Sequence, residues 1–176
     1  MRLLWGILLG GVLAGAFDIV YAFVIYGPLS YGLTPQEVLQ SVASGWLGRE
    51  VSRAGGWSSA GLGLATHFLI ATLMASAYAV AAQSFQPLKT RWVLWGLVYG
   101  LILYVAMNYV VVPLSAAATG HFASASEIVP RLQESFSSIR PRYDANYPWM
   151  IPGTIFTHTV LVALPIAWAT QRLQTD

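Results

Sequence analysis

Four polar side chains interrupt the long apolar stretches of this chain: Asp18, His67, Asn108 and His158. An ionisable group inside hydrocarbon is costly and is by default a hypothesis of function. A carboxylate and an imidazole can exchange a proton, and histidine is the side chain that titrates near neutral pH. These residue types therefore predict an intramembrane polar cluster.

Three interpretations of this cluster stay open. The first is hydrogen bonding between helices, with bonds completed by Asn108 and by hydroxyl groups, namely those of Thr66, Thr157, Tyr21 and Tyr109, and worth about 0.6 to 2 kcal/mol each. The second is a proton or ion relay. The third is ligation, with Asp18, His67 and His158 holding a metal, or the two histidines holding a haem or pigment. No helix carries two ligands at metal-binding spacing, and the sequence requires no cofactor.

Apolar segments long enough to position these groups across a membrane recur four times. About 20 apolar residues span the roughly 30 Å hydrocarbon core, and the predicted spans are residues 3–25, 60–82, 92–112 and 150–170. Only 9% of the residues are charged and 56% are apolar, with a mean hydropathy of +0.60, whereas soluble domains are about 25% charged. We predict an all-α, polytopic single transmembrane domain over 1–176, an antiparallel four-helix bundle in the lipid bilayer.

Basic residues give this bundle a predicted orientation. Arg2, Arg172 and the short loop with Lys89 and Arg91 have a higher density of positive charge than the two long loops, and cytoplasmic segments carry such an excess. We therefore expect both termini in the cytoplasm, with residues 26–59 and 113–149 as outer loops. The first span resembles a signal peptide, but its apolar run continues to Ile25, which favours a retained helix.

The outer loops carry signals of local order. Thr34-Pro35-Gln36-Glu37 matches a capping box with proline at the first helical position, which predicts a short interfacial helix in the first loop. Its apolar side would be Val38, Val42 and Trp46. In the second outer loop, the sequence predicts a helix over Ser126–Ser137, with Pro130 in its first turn or at a kink. The stretch from Arg140 to Trp149, rich in proline and aromatics, predicts a packed loop or partner-contact surface.

Small residues at helical spacing indicate how the spans pack, because helix association in lipid depends on close backbone approach. These glycines are Gly6, Gly10, Gly11 and Gly15 on the first span, Gly63 on the second, and Gly96 and Gly100 on the third. The spacing suits packing within one chain, and also the seam of an oligomer. Asp18 shares a stripe with Gly11 and Gly15, so it should face a neighbouring helix. All four polar residues are predicted at one depth, about 6 to 12 Å below the outer boundary.

Short motifs around these residues resemble a known family. Ala65-Thr66-His67-Phe68 with Ala77-Tyr78, Pro113-Leu114, and Phe156-Thr157-His158 are similar to the YagU-like family of small bacterial inner-membrane proteins. The resemblance covers mainly the last three spans. It implies a bacterial inner-membrane location and a loose association with acid resistance, and it supplies no catalytic residues.

Several functional classes are excluded or disfavoured. The chain has no cysteine, so disulfides, thiolate ligands and cysteine nucleophiles are excluded. A net charge of +2 is too small to indicate nucleic-acid binding, no soluble-enzyme motif occurs, and His121 is expected to be a solvated turn residue. We expect a non-enzymatic accessory or scaffold subunit that binds a membrane-protein partner or forms a homo-oligomer. The alternative is a small channel- or transporter-like protein acting through Asp18, His67 and His158.

Overall fold

The computed structural model describes residues 1–137 and 144–174, and the secondary structure in these ranges is helical with no strand. Four helices are long and apolar enough to cross a membrane: Arg2–Tyr26, Gly56–Ser84, Trp92–Leu114 and Met150–Leu173. The prediction of an all-α chain with four candidate membrane-spanning helices is confirmed. Each observed end lies within about one helical turn of the predicted one, because the length of the apolar run fixes both.

We number the helices of the described residues in chain order. They are α1 (Arg2–Tyr26), α2 (Pro35–Leu47), α3 (Arg49–Ala54), α4 (Gly56–Ser84), α5 (Pro87–Thr90), α6 (Trp92–Leu114), α7 (Ala116–Thr119), α8 (Ala125–Ser137) and α9 (Met150–Leu173). The chain forms two compact units. Unit 1 comprises Met1–Tyr21, His67–Tyr104 and Gly153–Asp176, and unit 2 comprises Ala22–Thr66 and Val105–Pro152.

Unit 1 packs through small residues. Its buried cluster contains Ala14, Ala75, Tyr78, Leu103, Val162, Ala163, Ile166 and Ala167. A Cβ placed on Gly10 would lie 3.6 Å from Ala75, and one on Gly15 would lie 3.4 Å from Ala71, so α1 and α4 run in opposite directions here. Gly96 lies in the same way against Ala167, and Gly100 against Thr159. Close approach at glycine therefore brings these helices together within one chain, as lipid packing requires.

Two of the spanning helices contain wider π-helical turns, which the sequence analysis did not predict. These segments are Ala106–Val111 in α6 and Thr157–Ala163 in α9. Each ends two residues before a proline, Pro113 or Pro165. Proline lacks an N–H and its ring crowds the carbonyl four residues earlier, so a locally widened turn accommodates it.

Helix α2, in unit 2, begins with the predicted capping box. The Thr34 hydroxyl accepts from the backbone N–H of Glu37, and the Glu37 carboxylate accepts from the N–H of Thr34. Helix α2 therefore starts as predicted. Its buried face differs from the predicted one, because it contains Val38, Leu39, Gln40, Ala43 and Ser44, whereas Trp46 is 52% exposed. A Cβ placed on Gly63 of α4 would collide with the Leu39 carbonyl oxygen. The absence of a side chain at Gly63 therefore lets this face of α2 pack against α4.

The second long loop contains helix α8, and Pro130 lies inside it rather than in its first turn. The predicted stretch Arg140 to Tyr143 falls outside the described residues. Beyond it, the Tyr147 hydroxyl donates to the Ser30 carbonyl at 2.6 Å, and the Tyr147 ring meets the edge of Tyr31 with centroids 5.1 Å apart. The described end of this loop therefore packs within unit 2.

Candidate functional site

Three spanning helices supply the polar side chains of one site in unit 1. Asp18 comes from α1, His67 from α4 and Thr157 from α9. The Thr157 hydroxyl donates to Asp18 Oδ1 at 2.8 Å, and His67 Nδ1 lies 3.9 Å from Asp18 Oδ2. Sequence analysis named Thr157 only as one of several hydroxyls, and the structure makes it the hydrogen-bond donor to Asp18.

A backbone contact determines the tautomer of His67. Its Nε2 lies 2.9 Å from the carbonyl oxygen of Gly15. Because a carbonyl only accepts, Nε2 must carry the proton, and the neutral ring then has its lone pair on Nδ1. Nδ1 lies 3.9 Å from Asp18 Oδ2, a distance too long for a direct hydrogen bond.

The packing around Gly15 makes this arrangement possible. A Cβ at Gly15 would lie 2.7 Å from the ring of Phe68, the residue that follows His67. The bare backbone of α1 can therefore approach α4 closely enough to accept from His67. The side chains of His67 and Asp18 are 12% and 30% exposed, so the pair is largely screened by protein.

His158 does not join this pair. Its Nδ1 donates to the Thr154 carbonyl four residues earlier at 2.8 Å, and its ring meets the edge of Tyr104 with centroids 6.0 Å apart. Within 1–137 and 144–174, no group of three or more His, Asp or Glu side chains could hold a metal ion. The contacts of His158 thus lie within its own helix and with Tyr104, and its predicted grouping with Asp18 and His67 stays a prediction. The π-helical turn from Thr157 shifts residues from the stripe that a regular helix would present.

Asn108 belongs to unit 2 and lies in the π-helical turn of α6, half-buried. A haem or pigment held by His67 and His158 together would require His67 Nε2 to leave the Gly15 carbonyl, or Nδ1 to turn from Asp18. Of the four predicted residues, the structure brings Asp18 and His67 together.

A second carboxylate–imidazole cluster was missed by sequence analysis, which took His121 for a solvated turn residue. His121 is indeed 60% exposed, but its Nε2 lies 3.1 Å from Glu127 Oε1 and 3.0 Å from Arg131 Nη2. Glu127 also accepts from the N–H and hydroxyl of Ser124, at 2.8 Å each. Arg131 Nη2 donates to Glu127 Oε1 at 3.1 Å, and the hydrogen bonds from Ser124, His121 and Arg131 lower the pKa of Glu127. The Ser-x-x-Glu cap and the Glu–Arg spacing of four residues were the available signals.

Comparison with known proteins adds no family to this geometry. No protein-family model, no curated protein and no solved structure matches the chain. The resemblance to YagU-like proteins therefore stays a prediction, and the function has to be argued from the site.

Proposed function

We propose that the chain is a small proton-linked protein of the bacterial inner membrane, channel- or transporter-like, in which Asp18 and His67 bind the proton. One observation carries the proposal: His67 Nε2 is held by the Gly15 carbonyl while Nδ1 faces Asp18 Oδ2 at 3.9 Å. The proposal includes the predicted orientation, with both termini in the cytoplasm and the pair in the outer half of the bilayer.

A pair with only a structural role would be expected to share a hydrogen bond of about 2.7 to 3.2 Å. Here two lone-pair-bearing atoms face each other, which is an arrangement that a proton stabilises. Protonation of Nδ1 creates opposite charges in a medium of low dielectric, where their attraction is far stronger than in water. The proton would therefore draw His67 of α4 toward Asp18 of α1. Coupling between proton binding and helix position is what a proton-linked carrier or channel needs.

Proton flux into liposomes tests the proposal. The purified chain would be reconstituted around a pH-sensitive dye, and flux measured for wild type, Asp18→Asn and His67→Gln. We expect both variants to lose the flux, and His158→Gln, the matched control from the same unit, to retain it. Wild-type flux in folded Asp18→Asn and His67→Gln would leave the pair as a contact between helices only.

The accessory or scaffold subunit is the second candidate, and one feature favours it. The apolar window of α6 is 17% buried, whereas that of α9 is 39% buried. A partner helix could cover this exposed surface, which includes Leu94, Leu101 and Ile102. Mild-detergent purification followed by mass spectrometry separates the candidates: a stoichiometric heterologous partner supports the subunit, and a monomer or homo-oligomer supports the channel-like protein.

A further inference from the structure

An open cavity of about 810 Å³ lies within unit 2. Its polar lining includes Arg49, Arg53, Tyr26, Tyr31, Glu37 and Gln40. This volume falls in the range of small-ligand sites, which combine a few fixed polar groups with less polar walls. The cavity contains none of the residues of the Asp18–His67 pair, so its role is a separate question.

The two arginines of this cavity occupy one face of α3. They are four residues apart, which places them on neighbouring turns of the same side. Arg49 Nε donates to the Ala117 carbonyl at 2.9 Å, and this is the one hydrogen bond of its guanidinium within the described residues. The Arg53 side chain has no hydrogen bond or ion pair in the same ranges. Most of the N–H donors of both groups are therefore available to a ligand.

A buried network holds α3 in place. Gln40 is 4% exposed, and its Nε2 lies 3.2 Å from the Arg53 carbonyl and 3.1 Å from the Gly56 carbonyl. Ser52 Oγ donates to the Gln40 carbonyl at 2.6 Å, and Ser59 Oγ donates to the Ser52 carbonyl at 2.6 Å. A helix of six residues is too short to be stable alone, so this network holds the backbone of α3, from which both arginines extend.

The charges of the lining favour an anion. Glu37 is the one carboxylate among the lining residues. The N–H and hydroxyl of Thr34 occupy its Oε2 and, together with the nearby charge of Arg53, lower its pKa. Burial and the hydrogen bond to Asp144 raise the pKa of Tyr31 to about 12, so its phenol stays neutral. Two guanidinium groups against one carboxylate leave a net charge of +1 at neutral pH.

The cavity lies near the ends of two membrane-spanning helices, which bears on the kind of anion that it would bind. Tyr26 is the last residue of α1, and Val112, also in the lining, lies two residues before the end of α6. The ends of membrane-spanning helices lie at the depth of lipid headgroups. Tyr26 and Tyr31 stack with centroids 6.3 Å apart and an interplanar angle of 9°, and such aromatic rings are typical of that depth.

From these observations we infer that the cavity binds a phosphate group, either on an anionic phospholipid headgroup or on a small phosphate ester. Planar guanidinium groups bind phosphate oxygens through paired, charge-assisted hydrogen bonds. Arg49 and Arg53 would supply these donors. This role is independent of proton binding by the Asp18–His67 pair.

The test uses the full chain in phosphatidylcholine nanodiscs, with two probes. One arm titrates inorganic phosphate and glycerol 3-phosphate, and the other adds phosphatidylglycerol to the discs and counts retained lipid by native mass spectrometry. The main variant is Arg53→Gln, because the α3 network uses the Arg53 carbonyl and not its side chain. Arg91→Gln is the matched control, since it removes an equal charge from an exposed position outside the cavity.

We expect Arg53→Gln to weaken binding at least tenfold, or about 1.4 kcal/mol, and Arg91→Gln to bind like wild type. Arg49→Lys, which keeps the charge but loses the planar fork, should weaken binding by a smaller factor. A loss confined to phosphatidylglycerol identifies the headgroup as the source, and a loss confined to the soluble phosphates identifies a free ligand. Binding of neither probe, or equal weakening by Arg91→Gln and Arg53→Gln, would overturn the inference.

Discussion

Two carboxylate–imidazole pairs occur in the described part of the chain, and their surroundings differ. His67 Nδ1 stands 3.9 Å from Asp18 Oδ2 in unit 1, and the two side chains are 12% and 30% exposed. His121 Nε2 stands 3.1 Å from Glu127 Oε1 in unit 2, and those side chains are 60% and 37% exposed. The residue types match, whereas distance and exposure differ.

The number of donors explains this difference. Glu127 accepts from the N–H and hydroxyl of Ser124 and from Arg131, so it keeps these donors whichever nitrogen of His121 carries the proton. Asp18 accepts from Thr157 through Oδ1, while Oδ2 faces an unprotonated nitrogen. A saturated carboxylate stabilises local structure, and a carboxylate with one unfilled position can respond to a proton. The donors of Glu127 are its neighbours in sequence, whereas the surroundings of Asp18 depend on contact between helices.

The largest expected effect comes from disturbing that helix contact. A Cβ at Gly11 would lie 2.9 Å from the backbone Cα of Thr72, which cannot rotate away, so Gly11→Ala should separate α1 from α4. We expect a loss of about 1 to 3 kcal/mol in the free energy of unfolding, typical of overpacking, measured by thermal unfolding in detergent. Gly61→Ala is the control, because nothing lies within 4 Å of its added Cβ. Equal stability of the two variants would contradict the view that close backbone packing places the Asp18–His67 pair.

Removing the Thr157 hydroxyl, the one hydrogen-bond donor to Asp18 among the described residues, should have the next largest effect. Thr157→Val keeps the shape of the side chain and deletes the hydroxyl that donates to Oδ1 at 2.8 Å. We expect a cost of about 0.6 to 2 kcal/mol, the range for a hydrogen bond between membrane helices, measured by chemical unfolding in detergent. Ser76→Ala is the control, since its hydroxyl donates within α4 to the Thr72 carbonyl. A smaller loss for Thr157→Val than for Ser76→Ala would remove Thr157 from the site.

Part of this architecture could be predicted from the sequence, because some physical signals are local. Apolar runs predicted all four candidate spans, and Thr34-x-x-Glu37 predicted the start of α2. Pro113 and Pro165 are local signals of a distorted helix. The partners of Gln40 could not be predicted, since Arg53 and Gly56 reach it only through the tertiary arrangement of α2 and α3.

The candidate site was predicted in part for the same reason. Asp18 shares its stripe with Gly11 and Gly15, and the regular part of α1 keeps that stripe, so the contact with α4 follows from helical spacing. His158 was assigned by the same spacing to the same site. The π-helical turn from Thr157 changes the number of residues per turn at that point. A spacing of 3.6 residues per turn therefore does not fix which side of α9 His158 occupies.

Acid should affect the Glu127 cluster in a local and moderate way. The pKa of Glu127 is lowered in the folded chain by its donors, so its stabilisation of α8 is present above the ordinary glutamate value of about 4.3 and is lost as pH falls toward the lowered pKa. Amide hydrogen exchange over residues 124–131 should therefore quicken in Glu127→Gln at pH 7 relative to wild type. The difference should shrink with acidification, and exchange that is identical at pH 7 would show that the cluster does not stabilise α8.

The smallest effect is expected from His158→Gln. This variant tests whether the tautomer of His67 is independent of His158. Nitrogen NMR of the labelled chain should show His67 with a proton on Nε2, the atom that donates to the Gly15 carbonyl. Because His158 donates to Thr154 within its own helix, its removal should leave the His67 signals unchanged. Asp18→Asn should shift the Nδ1 signal of His67, since this atom lies 3.9 Å from Asp18 Oδ2. A shift of the same size in His158→Gln would mean that the three residues form one group, and the distinction between the Asp18–His67 pair and His158 would be lost.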